Sequence, residues 1–353
     1  MKKKISGLIL LICVMIAVGV IYMFKTSAPK TITADGYVGG EKIEFLEDPE
    51  VQSILEEKYG VTVDYSRAGS LDMMTADMTG IDYLFPSSSI AEEYYEDLHG
   101  SPLRSEIILN TPIVLYTHQA VVDALESQGL ITSSGNALFI DMNRLIQLIQ
   151  NDTAWADIGL PELYGNVSVD TTDPSSSNSG NMFAALLANV LNGGQTLTES
   201  DLSTILPQLQ AIFGKLGYME TSSSDLFSQF LRMGIGAKPI IAGYESQLIE
   251  YAEIYPEEYD ALKDDIVMLY PAPTVWSAHV FLALDENGQT LLEGLLDEDI
   301  QRIAWEKHGF RTGNYAAVSE TGALKAEGVA DTVTQVTQVP SYDVMKVMID
   351  GLR

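Results

Sequence analysis

Apolar residues recur along the chain with two periods, one typical of strands and one typical of helices. Residues 61–65 alternate apolar and polar side chains, as a half-buried strand does. Just before them, residues 51–55 carry apolar side chains at helical spacing, and Asp48 followed by Pro49 is a typical helix start. The same alternation continues to the end of the chain, which predicts an α/β fold.

The predicted elements follow from these two periods. One apolar run over 107–116 is broken by Asn110-Thr111-Pro112, which predicts an interrupted segment there. The patterns predict helices over 71–78, 119–128, 141–151, 182–191, 201–216, 224–233, 291–307 and 342–352. They predict strands over 61–65, 81–85, 166–170, 239–242, 266–270 and 280–284.

The N-terminal segment is apolar throughout. Three lysines at positions 2–4 precede an uncharged run over 5–24, and Lys25 closes it. Such a run reaches about 30 Å as a helix, the thickness of a bilayer core, and lysines before it keep the N-terminus inside. Residues 1–28 are therefore predicted to be a membrane anchor or uncleaved signal segment, with the rest of the chain extracytoplasmic. Cleavage after Thr26-Ser27-Ala28, giving a secreted protein, is the alternative.

Length and charge narrow the function classes. The 353 residues exceed one ordinary domain and suit two lobes, and a 46% hydrophobic content can bury a sizeable core. A net charge of −29 repels phosphate backbones, so no nucleic-acid partner is expected. Four histidines and one cysteine leave little material for a metal centre, and no cofactor is expected.

Small-residue turns recur where predicted strands end and helices begin. At such points, backbone N–H groups and serine hydroxyls can point at one ligand, although Ser, Asp and Gly are also ordinary cap and turn residues. Four turns of this kind lie at 36–41, 68–71, 86–89 and 171–181.

The order of several short motifs resembles the bacterial extracytoplasmic solute-binding proteins with a type II periplasmic-binding-protein fold, in the neighbourhood of molybdate- and sulfate-binding proteins. The resemblance covers nearly the whole chain after the anchor. Its motifs are Gly39-Gly40-Glu41-Lys42 with 45–49, Ala68-Gly69-Ser70, the turn 173–180, Gly243-Tyr244-Glu245-Ser246, and 300–305 with Gly309-Phe310-Arg311.

The resemblance implies a two-lobed α/β fold with a ligand cleft between the lobes, preceded by one hydrophobic helix. The chain would cross between lobes near 110–113 and 270–274. Lobe one would then comprise 29–111 and 275–353, and lobe two 112–274. Such a protein is a receptor without enzymatic activity. It captures a small solute by lobe closure, and its partner is the membrane permease of an ABC-type importer; a sensor module could use the same lobes.

The resemblance also implies a set of ligand-binding residues. Arg67 and Arg104 are the nearest guanidinium candidates, although each also fits a surface or ion-pair role. Gly40 stands where relatives often have serine, so only backbone donors are expected there. Donors at helix starts predict an oxyanion or another small oxygen-rich solute. The implied ligand-binding residues are Gly39, Gly40, Gly69, Ser70, Ser87, Ser88, Ser177, Ser179 and Tyr244.

An extracytoplasmic hydrolase or transferase on a two-lobed α/β scaffold is the alternative function. A serine hydrolase of the α/β type needs a Gly-x-Ser-x-Gly turn, and the sequence has none. His118 and His279 each border an apolar run, which favours packed histidines over general bases. The sequence therefore favours a binding protein.

Overall fold

The computed structural model describes residues 31–312 and 321–353. The predicted anchor over 5–24 lies outside the described residues. Among the residues described, no helix is both long and apolar enough to span a bilayer.

Ten strands in the described ranges form two sheets that share one strand. The first sheet has the order β2-β1-β3-β9-β4-β10, and its three N-terminal strands are parallel. In the second sheet, β7 and β8 both pair antiparallel with β4, and β6 and β5 follow β8. The strands are β1 Ile32–Val38, β2 Val61–Arg67, β3 Tyr83–Phe85, β4 Arg104–His118, β5 Ile131–Ser134, β6 Ala137–Asp141, β7 Ile240–Tyr244, β8 Ile266–Ala272, β9 Trp276–Ala283 and β10 Arg311–Thr312.

Strand β4 connects the two sheets. Its residues up to Pro112 pair with β9, and from Ile113 onward they pair with β7. The predicted interruption at 110–112 is therefore wrong: the strand is continuous over fifteen residues. Pro112 is tolerated because it falls where the ladder changes partner, so the missing N–H donor breaks no continuous ladder.

Helices cover both faces of each sheet, as expected for an α/β fold, and α13 begins and ends where the sequence predicts. The α-helices of the described ranges are α1 Ile43–Glu47, α2 Pro49–Ile54, α3 Ser89–His99, α4 Gln119–Ser127, α5 Met142–Gln150, α6 Asn178–Leu191, α7 Glu199–Phe213, α8 Ser223–Met233, α9 Glu245–Ile254, α10 Pro256–Leu262, α11 Glu286–Leu295, α12 Glu298–Glu306 and α13 Tyr342–Leu352.

Three local predictions are wrong. The helix over 291–307 is two helices, because Asp297 accepts a hydrogen bond from the Asp299 N–H and starts α12. The strand over 166–170 forms only isolated bridges at Asn166 and Asp170. The predicted helix over 71–78 is only a short 3₁₀ turn, Asp72–Thr75, and this turn buries its two methionines.

The hydrophobic core is divided between the two sheets. One cluster packs around Val38, Phe85 and Phe281 of the first sheet, and another around α6 and the second sheet. The apolar face of α13 packs in the second cluster against α7, and residues 326–330 join the outer face of the second sheet. Residues 321–353 therefore pack largely with the second sheet.

Candidate functional site

A cavity of about 480 Å³ lies between the first and second sheets. Its lining comes from four segments, 39–41, 67–70, 176–178 and 221–225. The first two follow β1 and β2, and the last two begin α6 and α8. Strand ends of one sheet thus face helix starts on the other, the arrangement that binds ligands in open α/β folds.

Two glycines give the floor of the cavity its shape. A Cβ on Gly39 would lie 2.5 Å from the Glu41 Oε1, and one on Gly40 would lie 2.6 Å from the Arg67 Nε. A Cβ at either position would therefore displace a charged side chain that packs directly on the backbone. The Gly39 N–H, expected as a ligand donor, lies 3.4 Å from the Phe85 carbonyl and donates to it.

Below this turn lies a buried ion pair. The Lys42 side chain has no exposed surface, and its Nζ lies 2.5 Å from Glu41 Oε1. The same Nζ lies 2.8 Å from Ser87 Oγ and 3.3 Å from His279 Nδ1, and 4.9 Å above the Phe85 ring. The Ser87 hydroxyl also donates to Glu41 Oε1. The ammonium is thus enclosed entirely by protein groups.

The charges of this cluster follow from burial and pairing. Burial raises the pKa of Glu41, but the positive charge and hydrogen bond of Lys42 outweigh it and hold that pKa at about 2. Burial, together with the Lys42 charge, holds the pKa of His279 well below its usual value. His279 is therefore neutral, and its Nδ1 accepts from Lys42. Glu41 is a carboxylate at the cavity edge, with 14% of its side chain exposed.

Two helix starts form the opposite wall. Ser177 and Ser222 are the N-cap residues of α6 and α8, and in this described region neither side chain caps its own helix. Ser177 Oγ lies 3.0 Å from Ser179 Oγ, and Ser222 Oγ accepts a hydrogen bond of 3.2 Å from Arg67 Nη2. The first N–H groups of both helices are therefore placed to attract ligand oxygens.

Direct contacts hold the two walls together. Besides the Arg67–Ser222 bond, Asn178 Nδ2 donates to the Ser87 carbonyl at 2.9 Å and to the Tyr244 hydroxyl at 3.0 Å. Burial raises the pKa of Tyr244, which keeps the phenol protonated. Asn178 therefore links β3, β7 and α6 at the inner end of the cavity.

The predicted site residues divide into two groups. Those that line the cavity are Gly39, Gly40, Gly69, Ser70 and Ser177. Those that lie in the walls behind it are Ser87, Ser88, Ser179 and Tyr244. Whether any of the nine contacts a ligand stays a prediction.

The residues behind the lining have internal partners. Ser88 accepts from the Ile90 N–H and caps α3. Ser179 Oγ lies 2.7 Å from Thr172 Oγ1. Of the two guanidinium candidates, Arg67 lines the cavity, whereas Arg104 pairs with Glu106 at 3.2 Å elsewhere.

Sequence reasoning missed part of the lining. The run 221–225, Thr-Ser-Ser-Ser-Asp, opens α8 in the same way that 171–181 opens α6, so the same signal could have found it. Glu41 lies in the predicted turn at 36–41 and lines the cavity, but it is not among the nine predicted residues. The sequence around Lys42 does not predict that its side chain is buried. The groups that enclose its ammonium include Ser87, which follows β3, and His279 on β9.

Known proteins match this chain in structure alone. A scan of family models and a search of curated proteins find no match. The substrate-binding protein of an ABC transporter from Agrobacterium tumefaciens matches with a TM-score of 0.55 at 13% identity, covering 93% of this chain and 96% of that one.

For two further matches a solute is named. The sulfate-binding protein SubI from Mycobacterium tuberculosis matches at 14% identity with a TM-score of 0.54, covering 89% of this chain and 95% of that one. AfuA from Actinobacillus pleuropneumoniae, with fructose-6-phosphate bound, matches at 15% identity with a TM-score of 0.55, covering 90% and 97%. The chain therefore has the solute-binding-protein fold that its motifs resemble.

Proposed function

We propose that this chain is an extracytoplasmic receptor that captures a small oxygen-rich solute and delivers it to an ABC-type importer. Its fold is that of the substrate-binding proteins of such transporters. Residues 5–24 would tether it to the membrane, and the importer permease would be its protein partner. The observation that carries the proposal is one cavity lined from both sheets.

Lobe closure would act through two chain crossings. One is the change of partner in β4 between Pro112 and Ile113, and the other is the segment between β8 and β9. In our proposal lobe one comprises 29–111 and 275–312, and lobe two comprises 112–274 with 321–353, following the packing of the core. Arg67–Ser222 and Asn178–Ser87 are the contacts that opening would break.

An enzyme on this scaffold would need a nucleophile that substrate can reach. Ser87 Oγ lies 2.8 Å from Lys42 Nζ, which is the distance of a serine–lysine catalytic pair. Ser87 is fully buried, however, and its hydroxyl donates to the Glu41 carboxylate. This geometry favours binding over catalysis.

A thermal-shift screen of the purified chain tests the proposal. We expect one solute among oxyanions, sugar phosphates, carboxylates, sugars, amino acids and polyamines to stabilise it by about 2.7 kcal/mol at 100 times its dissociation constant. The bound solute should be recovered unchanged after long incubation. A screen in which no solute raises the melting temperature would contradict a receptor role.

Two serine variants test the site. Ser177→Ala removes a hydroxyl at the cavity, and we expect about 1–3 kcal/mol weaker binding with little change in stability. Ser88→Ala removes a helix cap, and we expect about 1 kcal/mol lower stability with unchanged affinity. Calorimetric titration and urea unfolding of both variants measure the two effects, and equal affinity loss in both would refute the assignment.

A further inference from the structure

The Glu41 carboxylate lines the cavity, and only one of its two oxygens is hydrogen-bonded within the described part of the protein. Lys42, Ser87 and, at 3.8 Å, His279 all approach Oε1. In the described ranges no protein donor forms a hydrogen bond to Oε2. Because the pKa of this carboxyl is held at about 2, Oε2 is a strong acceptor at any physiological pH.

The remaining charges of the lining indicate what can approach that oxygen. Arg67 is a cation without a carboxylate within 4.0 Å among the residues described, and its only protein acceptor there is Ser222 Oγ. Asp225 at the start of α8 adds a second negative charge. Two carboxylates and one guanidinium make the lining net negative, which disfavours a bare multiply charged oxyanion.

The size of the cavity also disfavours a small inorganic oxyanion as the solute. A water occupies about 30 Å³ in the liquid, so about 480 Å³ corresponds to roughly sixteen waters. A single tetrahedral oxyanion would fill a small part of that space. The volume lies in the range of about 300–1,000 Å³ that is typical of pockets for organic ligands.

We propose that Glu41 determines specificity, and that the solute is an organic anion carrying a hydroxyl or ammonium donor. The donor hydrogen-bonds to Glu41 Oε2, while the anionic oxygens lie on Arg67 and the starts of α6 and α8. Lys42 acts as a positioning residue, since it fixes Glu41 and never reaches the cavity. This inference rests on the proposed function and adds the class of solute.

Matched solutes test the inference on the full chain in mild detergent. One set is glycerol 3-phosphate, phosphoethanolamine, propyl phosphate and inorganic phosphate; the other is glycerate, β-alanine and propanoate. In at least one set, we expect a member with a hydroxyl or ammonium to bind at least tenfold tighter than propyl phosphate or propanoate, the matched member without one. The first two members of each set distinguish a hydroxyl from an ammonium.

Variants assign the preference to one carboxylate. In Glu41→Gln we expect the tenfold preference to fall below about threefold. Asp225→Asn removes the same charge from the same cavity, and we expect it to keep the preference. If Glu41→Gln does not fold, the double variant Glu41→Gln/Lys42→Met, which removes both buried charges, replaces it.

The possible outcomes separate this inference from the proposed function. Equal or tighter binding of propyl phosphate, inorganic phosphate or propanoate, or an unchanged preference in Glu41→Gln, overturns the donor requirement while leaving a receptor. Binding of neither set, with a sugar or a polyamine bound instead, also overturns the inference alone. Failure of every solute in the broader screen overturns both.

Discussion

Two buried ion pairs, Glu41–Lys42 and Glu245–Arg311, differ in what their carboxylates have left to bind. Arg311 Nε lies 2.6 Å from Glu245 Oε2 and its Nη2 lies 2.7 Å from Oε1, which also accepts from the Tyr270 hydroxyl. Both oxygens of Glu245 are therefore occupied. Glu41 instead accepts on Oε1 every hydrogen bond that the described residues donate to it.

The two pairs also differ in what they connect. Glu245 begins α9 beside the second sheet, and Arg311 lies on β10 of the first, so that pair fastens the sheets together. Arg311 also lies 5.1 Å above the Trp305 ring. Glu41 and Lys42 are neighbours on one turn below the cavity. The Glu245–Arg311 pair, in which both carboxylate oxygens are hydrogen-bonded, indicates a structural role between the sheets. Glu41, with one oxygen left to accept a hydrogen bond at the cavity, indicates a role in recognition.

Removing Arg311 should have the largest effect on stability. Arg311→Ala leaves Glu245, which has no exposed surface, without its counter-charge. We expect the free energy of unfolding to fall by about 3–5 kcal/mol. Urea unfolding measures it, with Arg302→Ala, an exposed ion-pair partner of Glu306, as the control near zero. A loss below about 1 kcal/mol would contradict the structural role.

Removing Lys42 should lower the free energy of unfolding less than removing Arg311 does, because Glu41 keeps some contact with water. Lys42→Met keeps most of the length of the side chain but leaves the carboxylate unpaired, and we expect the free energy of unfolding to fall by about 2–3 kcal/mol. Adding Glu41→Gln should recover part of that loss. If the double variant is less stable than Lys42→Met, the two charges do not compensate each other.

A methyl group on Gly39 tests the close approach of Glu41. Gly39→Ala would place a Cβ 2.5 Å from Glu41 Oε1, and we expect about 1–2 kcal/mol of destabilisation together with weaker solute binding. Gly236→Ala, where a Cβ meets nothing within 4 Å, is the control. Equal stability of the two variants would show that the carboxylate moves without cost.

Acid should weaken the Glu41 pair in a defined range. The pKa of Glu41 is 4.5 in the unfolded reference and about 2 in the folded chain, so its stabilisation is complete above pH 4.5 and is lost as pH falls toward 2. Between pH 7 and pH 4 we expect wild type to lose about 1 kcal/mol more than Glu41→Gln/Lys42→Met. Urea unfolding at both pH values measures this, and parallel losses would place the pKa of Glu41 near its ordinary value.

Local sequence patterns are sufficient to predict the α/β alternation, the terminal helix and most of the turns around the cavity. These features are local: a strand period, a cap or a serine-rich turn is set by residues close together in the chain. Gly39, Gly69, Ser70 and Ser177 line the cavity because strand ends and helix starts meet at sheet edges in such folds.

Which residues these turns bring together depends on contacts between distant parts of the chain. Lys42 meets His279 across 237 positions of sequence, and Glu245 meets Arg311 across 66. The continuity of β4 through Pro112 likewise depends on β9 and β7, which lie more than a hundred residues further along the chain. Burial of a charge and pairing of a strand depend on partners that are distant in the sequence, so the local pattern does not predict them.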